Sequence, residues 1–114
     1  MAGKVDYCEI GTTDPAATKA FYEGAFGWDI EPPQGPMSYS MVNGGEGGVW
    51  ESATNGGESY AIFYINVDDV KATVDKAIAL GATLKVPVTD NGTILFAHLL
   101  DPHGNRIGVW HSKS

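Results

Sequence analysis

The sequence predicts an α+β fold of two successive β-α-β-β-β modules, each a curved mixed sheet with one helix on its outer face, together enclosing a cleft. Short segments alternate apolar and polar residues, as strands with one buried face do. A segment with helical spacing follows the first strand of each half. The helix-end residues Asp14 and Gly27 recur in the second half as Asp69 and Gly81, which indicates a repeat.

The length and composition are those of one globular domain. The chain has 114 residues, of which 43% are hydrophobic, and this is enough for a packed core. Its Gly- and Pro-rich segments are too short to serve as domain linkers. We therefore expect a single domain over residues 1–114, with module one at about 4–54 and module two at about 58–112.

The charge balance excludes several classes of partner. With 14 acidic and 7 basic residues the net charge is −7, so we expect no nucleic-acid partner and no membrane partner. No apolar run is long enough to span a bilayer, and the N-terminus has no signal-peptide core. Cys8 lies in the apolar alternation of the first strand, which predicts a buried structural thiol and a cytoplasmic location.

The first module begins with the strand VDYCEI, in which Tyr7 and Glu9 point away from the helix side. The segment TTDPAATKAFYEGAFGW then predicts a helix, capped by Thr13 or Asp14 and ended by Gly27. Its residues at helical spacing are Ala17, Ala20, Phe21 and Phe26. We expect Phe26 and Trp28 to staple this helix to the sheet. The β segments that follow are WDIEPP, MSYSMVN and GGVWES.

The second module repeats this order. In its strand AIFYINV, alternation places Ala61, Phe63, Ile65 and Val67 towards the helix. The segment DDVKATVDKAIALGA predicts a helix that is capped by Asp68 or Asp69 and ends at Gly81. The remaining strands are TLKVPV, TILFAHLL and RIGVWH.

The hairpin LLDPHGNRIGVW carries an unusual glycine. Gly108 shares one strand face with Arg106 and Trp110, and a glycine inside a strand leaves a space on that face. Folding at DPHGN brings His98 opposite Gly108. A histidine beside such a space would be open to a ligand.

The segments TTDPAATKAFYEGAFGW and DPHGNRIGVW resemble the vicinal oxygen chelate superfamily, which includes glyoxalase I, bleomycin-resistance proteins and extradiol dioxygenases. The resemblance covers Val5 to His111. It implies the fold described above and a cleft that serves several different chemistries.

The resemblance also implies where a metal would bind. Metal-dependent members carry His or Gln in the first strand of each half and Glu in the last strand of each half. The matching residues here are Tyr7, Ile62 and Gly108, with Glu51 or Val49 at the fourth place. Glycine and isoleucine offer no ligand atom, and tyrosine binds a metal only as phenolate. We therefore expect no metal and no cofactor; the alternative is a displaced metal site of Glu51, Glu9 and His98.

Three residues are candidates for proton transfer in the cleft: His98, Glu9 and Tyr7. His98 and Glu9 each have an alternative role. His98 is either a general acid–base group or a histidine hydrogen-bonded to Glu9 or Tyr64. Glu9 is either a base or the ion-pair partner of Arg106, which otherwise holds an anionic ligand group or is solvated. The expected ligand-binding residues are Tyr39, Trp50, Glu51, Ile62, Tyr64, Phe96, Arg106, Gly108 and Trp110.

The function that these residues predict is binding of a small aromatic or apolar molecule in the cleft, without the family's metal. The alternatives are a lyase or isomerase that uses the cleft His, Glu and Tyr, or a metal-dependent glyoxalase or dioxygenase with displaced ligands. We also expect a homodimer, because proteins of this family usually pair and short edge strands need covering.

Overall fold

The computed structural model describes residues 3–35, 38–53 and 58–113. Its strands and helices occur in the order β1 (Lys4–Thr12), α1 (Pro15–Phe26), β2 (Tyr39–Val42), β3 (Gly47–Glu51), β4 (Tyr60–Asn66), α2 (Val70–Ala79), β5 (Thr83–Asp90), β6 (Ile94–Leu100) and β7 (Arg106–Ser112). The α+β prediction is confirmed. No helix in the described ranges is long and apolar enough to cross a membrane.

One predicted strand is almost absent. The segment WDIEPP forms only an isolated antiparallel bridge, between Ile30 and Val42. Two prolines end this segment, and proline cannot donate a hydrogen bond to a sheet ladder. Met37 of the predicted MSYSMVN strand and Thr54, the predicted end of module one, lie outside the described residues.

The chain divides into two compact units. The first unit is Tyr7–Ala61, and the second unit combines Met1–Asp6 with Ile62–Ser114. The start of β1 belongs to the second unit because its Asp6 accepts hydrogen bonds from Trp110 Nε1 at 2.9 Å and from Asn66 Nδ2 at 3.2 Å.

In the first unit, β3 pairs in parallel with β1 and antiparallel with β2. The register places Glu9 beside Gly48 and Ile10 beside Val49. Val49 is part of a buried cluster with Ile30 and Val42, against which Ile10 also packs. Because side chains alternate along a strand, Glu9 and Gly48 lie on the opposite face, which we call the far face of this sheet.

In the second unit, the strand order is β4-β7-β6-β5. Val70 and Val74 of α2 pack with Ala97, Leu99 and Val109 in a buried cluster. The register pairs Gly108 with His98 on one side and with Tyr64 on the other. These three residues therefore lie on the far face of the strands of the second unit, and the register confirms that His98 lies opposite Gly108.

Aspartates cap both helices. The Asp14 side chain accepts a hydrogen bond from Ala17 N at 3.1 Å, and the Asp69 side chain accepts one from Ala72 N at 3.0 Å. Gly27 ends α1 in the left-handed conformation, with φ 68°, where a side chain is disfavoured. Asp14 rather than Thr13 caps α1, and Asp69 rather than Asp68 caps α2.

Three predicted packing positions are wrong. Phe26 is 61% exposed and packs against Tyr22 and Trp28 rather than the sheet, although Trp28 itself does pack on the Ile30 cluster. Cys8 is exposed, because the helix-side core of the first unit includes Ile10 but does not extend to Cys8. Phe63 is 45% exposed, because the core below α2 takes in Ile65 and Val67 but not this earlier residue of β4.

Candidate functional site

A buried carboxylate stands at the centre of the far face of the first unit. Glu9 is 4% exposed. Its Oε1 accepts a hydrogen bond from the Tyr39 hydroxyl at 2.9 Å, and its Oε2 accepts one from the Tyr60 hydroxyl at 2.7 Å. The hydroxyls of Tyr7 and Tyr39 lie 2.7 Å apart. A buried charge needs such donors, and this arrangement supplies one to each carboxylate oxygen.

Glycines make room for both donors to Glu9. A Cβ built on Gly48 would overlap the Tyr39 side chain, and a Cβ built on Gly11 would overlap the Tyr60 ring. Any residue larger than glycine would therefore displace a tyrosine from the carboxylate. The sequence analysis did not predict a role for Tyr60. The signal that could have indicated it is Gly11, which lies two residues after Glu9 and therefore on the same face of β1.

Burial keeps the neighbouring phenols protonated. Burial raises the pKa of Tyr7 to about 12, and the charge of Glu9 acts in the same direction. Burial also raises the pKa of Tyr39, again with a contribution from Glu9. At neutral pH both phenols are therefore protonated and can donate hydrogen bonds.

A second buried group lies on the far face of the second unit. The His98 side chain is fully buried. Its Nε2 lies 2.5 Å from the Tyr64 hydroxyl, and its Nδ1 lies 3.2 Å from Arg106 Nε and 3.1 Å from Arg106 Nη2. A guanidinium only donates hydrogen bonds, so Nδ1 is the acceptor, and the proton of the neutral ring is on Nε2. His98 therefore donates to the Tyr64 oxygen.

The space expected at Gly108 is filled. A Cβ built there would lie 2.5 Å from Cε2 of the Tyr64 ring. The prediction that His98 stands open beside an empty place is wrong, because Tyr64 from the neighbouring strand occupies that place. The alternative, a histidine hydrogen-bonded to Tyr64, is what the structure shows.

Several predicted ligand contacts are buried side chains on the far faces. Trp50 is 2% exposed, Ile62 6% and Phe96 5%. Trp110 is half-buried and donates its indole N–H to Asp6. The Glu9–Arg106 ion pair stays a prediction. The partly exposed groups among the predicted residues are therefore Tyr7, Tyr39, Glu51, Arg106 and Trp110.

Comparison with known proteins decides the family. The family model described as a glyoxalase-like domain matches residues 7–110. The chain belongs to the glyoxalase-like domain family. This confirms the resemblance to the vicinal oxygen chelate superfamily.

Curated relatives of this glyoxalase-like chain are longer than it is. A Mycobacterium tuberculosis protein named "Putative glyoxylase CFP32" is 31% identical over 97% of the chain, which spans 46% of that protein. A glyoxylase-like domain-containing protein of Didymella fabae is 34% identical over 66% of each sequence. The chain thus spans about half the length of the mycobacterial relatives.

Solved structures share the fold of this glyoxalase-like chain at low sequence identity. A Streptomyces coelicolor methylmalonyl-CoA epimerase variant, in complex with 2-nitronate-propionyl-CoA, superposes with a TM-score of 0.66 at 17% identity, and the alignment covers 100% of both chains. A glyoxalase/bleomycin resistance protein/dioxygenase superfamily member from Vibrio splendidus gives 0.60 at 14% identity, over 96% of this chain and 99% of that one.

The strand registers identify the fourth metal position of the family. Gly108 lies beside Tyr64, and Tyr64 is two residues after Ile62 in β4. In the same way, Gly48 lies beside Glu9, and Glu9 is two residues after Tyr7 in β1. Gly48 is thus the counterpart of Gly108, and the assignment of this place to Glu51 or Val49 is replaced. Alternation puts Glu51 on the same face as Val49, towards the helix.

The residues at these four positions do not fit a metal. They are Tyr7, Gly48, Ile62 and Gly108. Tyrosine rings occupy the places where side chains at the two glycines would begin, and the oxygens of the nearby Glu9 accept from phenols. In the described ranges, no three His, Cys, Asp or Glu residues are grouped so as to hold a metal ion.

Proposed function

We propose that this glyoxalase-like domain binds a small aromatic or apolar molecule and does so without a metal. One observation carries the proposal: tyrosine rings lie over the two glycines at the metal positions, and their hydroxyls bond the buried Glu9 and His98. The groups that would otherwise bind a metal or react are thereby engaged with the protein itself.

The chemistry of the first unit's far face favours a flat, weakly polar ligand. Tyr7, Tyr39 and Met41 are half-buried on this face, and the Tyr7 hydroxyl lies 3.9 Å from Met41 Sδ. Aromatic rings and a thioether pack well against another ring. Because Tyr39 covers the Glu9 carboxylate, a ligand meets rings and hydroxyls there rather than a free charge. We propose this face as the contact surface.

The test is a binding screen with neutral aromatic fragments, followed by ligand-observed NMR. Tyr7→Ala should weaken binding of a hit at least about tenfold, the equivalent of about 1.4 kcal/mol. Phe63→Ala is the matched control, because it removes an exposed ring from the second unit. Unchanged binding in the Tyr7→Ala protein, or no hit at all, contradicts the proposal.

Proton transfer is the second candidate, and the His98–Tyr64 pair favours it. Arg106 holds His98 in one tautomer, so that a hydrogen-bonded imidazole stands behind the Tyr64 hydroxyl. Such a pair can support general acid–base chemistry of the lyase or isomerase kind. The fold likeness to an epimerase makes this chemistry worth testing here. Solvent deuterium should then enter a bound ligand, and the incorporation should stop in His98→Gln; no incorporation into any bound ligand rejects this candidate.

A further inference from the structure

The hydroxyl groups of Tyr7 and Tyr39 form a chain that ends on the buried carboxylate of Glu9. The Tyr7 oxygen lies 2.7 Å from the Tyr39 oxygen, which lies 2.9 Å from Glu9 Oε1. All three side chains belong to the first unit. Glu9 is 4% exposed, whereas the two tyrosines are half-buried. The chain thus leads from a buried group to a partly exposed one.

The buried end fixes the direction of each hydrogen bond in this chain. An ionised carboxylate only accepts hydrogen bonds, so the single proton of the Tyr39 hydroxyl points at Glu9. Tyr39 has no second proton, and Tyr7 is therefore the donor in the bond between the two phenols. Met41 Sδ, 3.9 Å from the Tyr7 oxygen, is a weaker acceptor for the same proton. In both cases the Tyr7 proton is directed at the protein.

This direction decides what Tyr7 offers to a molecule on the far face of the first unit. With its proton engaged, the Tyr7 oxygen offers lone pairs. An N–H or O–H group of a ligand can donate to them, whereas a carbonyl or ether oxygen at that place would meet another acceptor. Hydrogen bonds in a row strengthen one another, so the carboxylate at the end of the row makes the Tyr7 oxygen a better acceptor.

The packing of Tyr39 holds this arrangement in place before any ligand binds. The register pairs Met41 with Gly48, so β2 turns Tyr39 and Met41 to the same face as Glu9. A Cβ built on Gly48 would overlap the Tyr39 hydroxyl oxygen. The glycine therefore provides the space from which this hydroxyl reaches Glu9, and the bond that directs the Tyr7 proton is preorganised.

We infer that Tyr7 and Tyr39 make this face selective for an aromatic molecule that carries an N–H or O–H donor. The inference rests on the proposed function, because it names the class of ligand for the same surface. Tyr7 contacts the ligand, and Tyr39 is a positioning residue that keeps the Tyr7 proton away from it. To bind a ligand without a donor, Tyr7 would have to turn its proton outwards and leave the Tyr39 oxygen without that donor.

Indole and benzofuran test the inference as two probes of nearly equal shape. Indole carries one N–H donor, and benzofuran has an oxygen at the same place. Benzofuran is the less polar molecule, so burial alone would favour it. In titrations followed by ligand-observed NMR, we expect the unaltered chain to bind indole at least about tenfold more tightly than benzofuran. Equal affinities, or tighter binding of benzofuran, overturn the inference.

Matched variants test whether the two phenols cause the preference. Tyr39→Phe keeps a ring but removes the oxygen that accepts the Tyr7 proton, and Tyr7→Phe removes the Tyr7 hydroxyl itself. In each variant the preference for indole should fall below about threefold. Tyr22→Phe makes the same change in α1 and should keep the full preference. Each ratio is measured within one protein, so partial unfolding lowers both affinities alike. A full preference for indole in Tyr39→Phe or Tyr7→Phe overturns the inference.

The proposed function and this inference fail in different ways. If both probes bind with equal affinity, binding of an aromatic molecule stands and only the selectivity for a donor is overturned. If neither probe and no other aromatic fragment binds, the proposed function fails and the inference fails with it.

Discussion

The ring of Tyr64 lies where a side chain at Gly108 would begin, and its hydroxyl holds the buried His98. One tyrosine thus fills the place of a family metal ligand and also bonds the nearest group with acid–base chemistry. In the first unit, Tyr39 lies over Gly48 and bonds Glu9 in a similar way. In both units a tyrosine ring fills the space beside a glycine that matches a ligand position of the family.

Enlarging Gly108 tests this packing. Gly108→Ala should destabilise the protein by about 1–3 kcal/mol, because the new methyl group overlaps the Tyr64 ring. Gly24→Ala is the control, since it lies in an exposed helix with open space and should stabilise by about 0.5–1 kcal/mol. Urea unfolding measures both. A Gly108→Ala protein as stable as the unaltered chain would show that the ring can move aside.

A double-mutant cycle tests whether the two residues act together. Tyr64→Ala alone removes a ring and a partner of His98, and should cost several kcal/mol. Adding Gly108→Ala to that variant should cost much less than it costs alone, because the clash has gone. Additive effects on the free energy of unfolding would mean that the ring and the glycine are independent.

Tyr39 and Tyr60 should stabilise the folded chain through the hydrogen bonds that their hydroxyls donate to Glu9. Tyr39→Phe and Tyr60→Phe each leave one buried carboxylate oxygen without that donor, and each should destabilise by about 1.5–3 kcal/mol. Tyr22→Phe is the control: this ring stacks on Trp28 with centroids 4.8 Å apart, so the change should stay within about 0.5 kcal/mol. Three equal effects in urea unfolding would contradict a role for the Glu9 contacts.

Stability should fall at alkaline pH. The pKa of Tyr7 is raised from 10.0 to about 12 in the folded chain, so folding holds its proton more tightly. The stabilising contribution is complete below pH 10 and is lost as the pH rises towards 12. The half-buried Tyr39, whose pKa is also raised by burial, acts in the same direction.

The measurement for this prediction is the urea midpoint across the alkaline range, together with tyrosinate absorbance. It is made in a Cys8→Ser background, because partial burial of the Cys8 thiol and the nearby charges of Glu46 and Glu9 also raise its pKa. Tyr7→Phe should lose stability less steeply with pH than the protein that keeps Tyr7. Identical pH profiles would show that Tyr7 ionises alike in the folded and unfolded chains.

The tautomer of His98 is a direct spectroscopic prediction. Since Arg106 donates to Nδ1, long-range ¹H–¹⁵N spectra at neutral pH should show the proton of His98 on Nε2. His98→Gln identifies the signals by removing them. Arg106→Leu retains the aliphatic packing of the side chain but removes the guanidinium that donates to His98. This change should lower the free energy of unfolding by about 1–2 kcal/mol. A proton found on Nδ1 would contradict the arrangement.

Strand alternation and turn chemistry predicted the parts of the structure that depend on local sequence. They placed Tyr7 and Glu9 on one face of β1, put His98 opposite Gly108, and narrowed each helix cap to two neighbouring residues, one of which is the cap. Each of these follows from periodicity or from backbone hydrogen bonding at helix ends.

Placements that depend on tertiary packing could not be predicted in this way. Nothing in the local sequence shows that Tyr64 fills the place at Gly108, because that requires the parallel register of β4 and β7. The apolar residues of α1 have helical spacing, yet Phe21 and Phe26 are exposed, because Tyr22 is the residue of this helix that packs on the Ile30 cluster. Periodicity indicates that a helix has an apolar face but does not say what covers it.

The central claim, that packing has replaced metal binding at the far faces, is tested most directly by metal content. The chain is produced in medium supplemented with Fe, Ni, Zn and Mn, purified without a metal-binding tag, and analysed by elemental mass spectrometry. We predict far less than one metal ion per chain, and the same residual content in a Glu9→Gln variant. One ion retained per chain, and lost in Glu9→Gln, would contradict the claim.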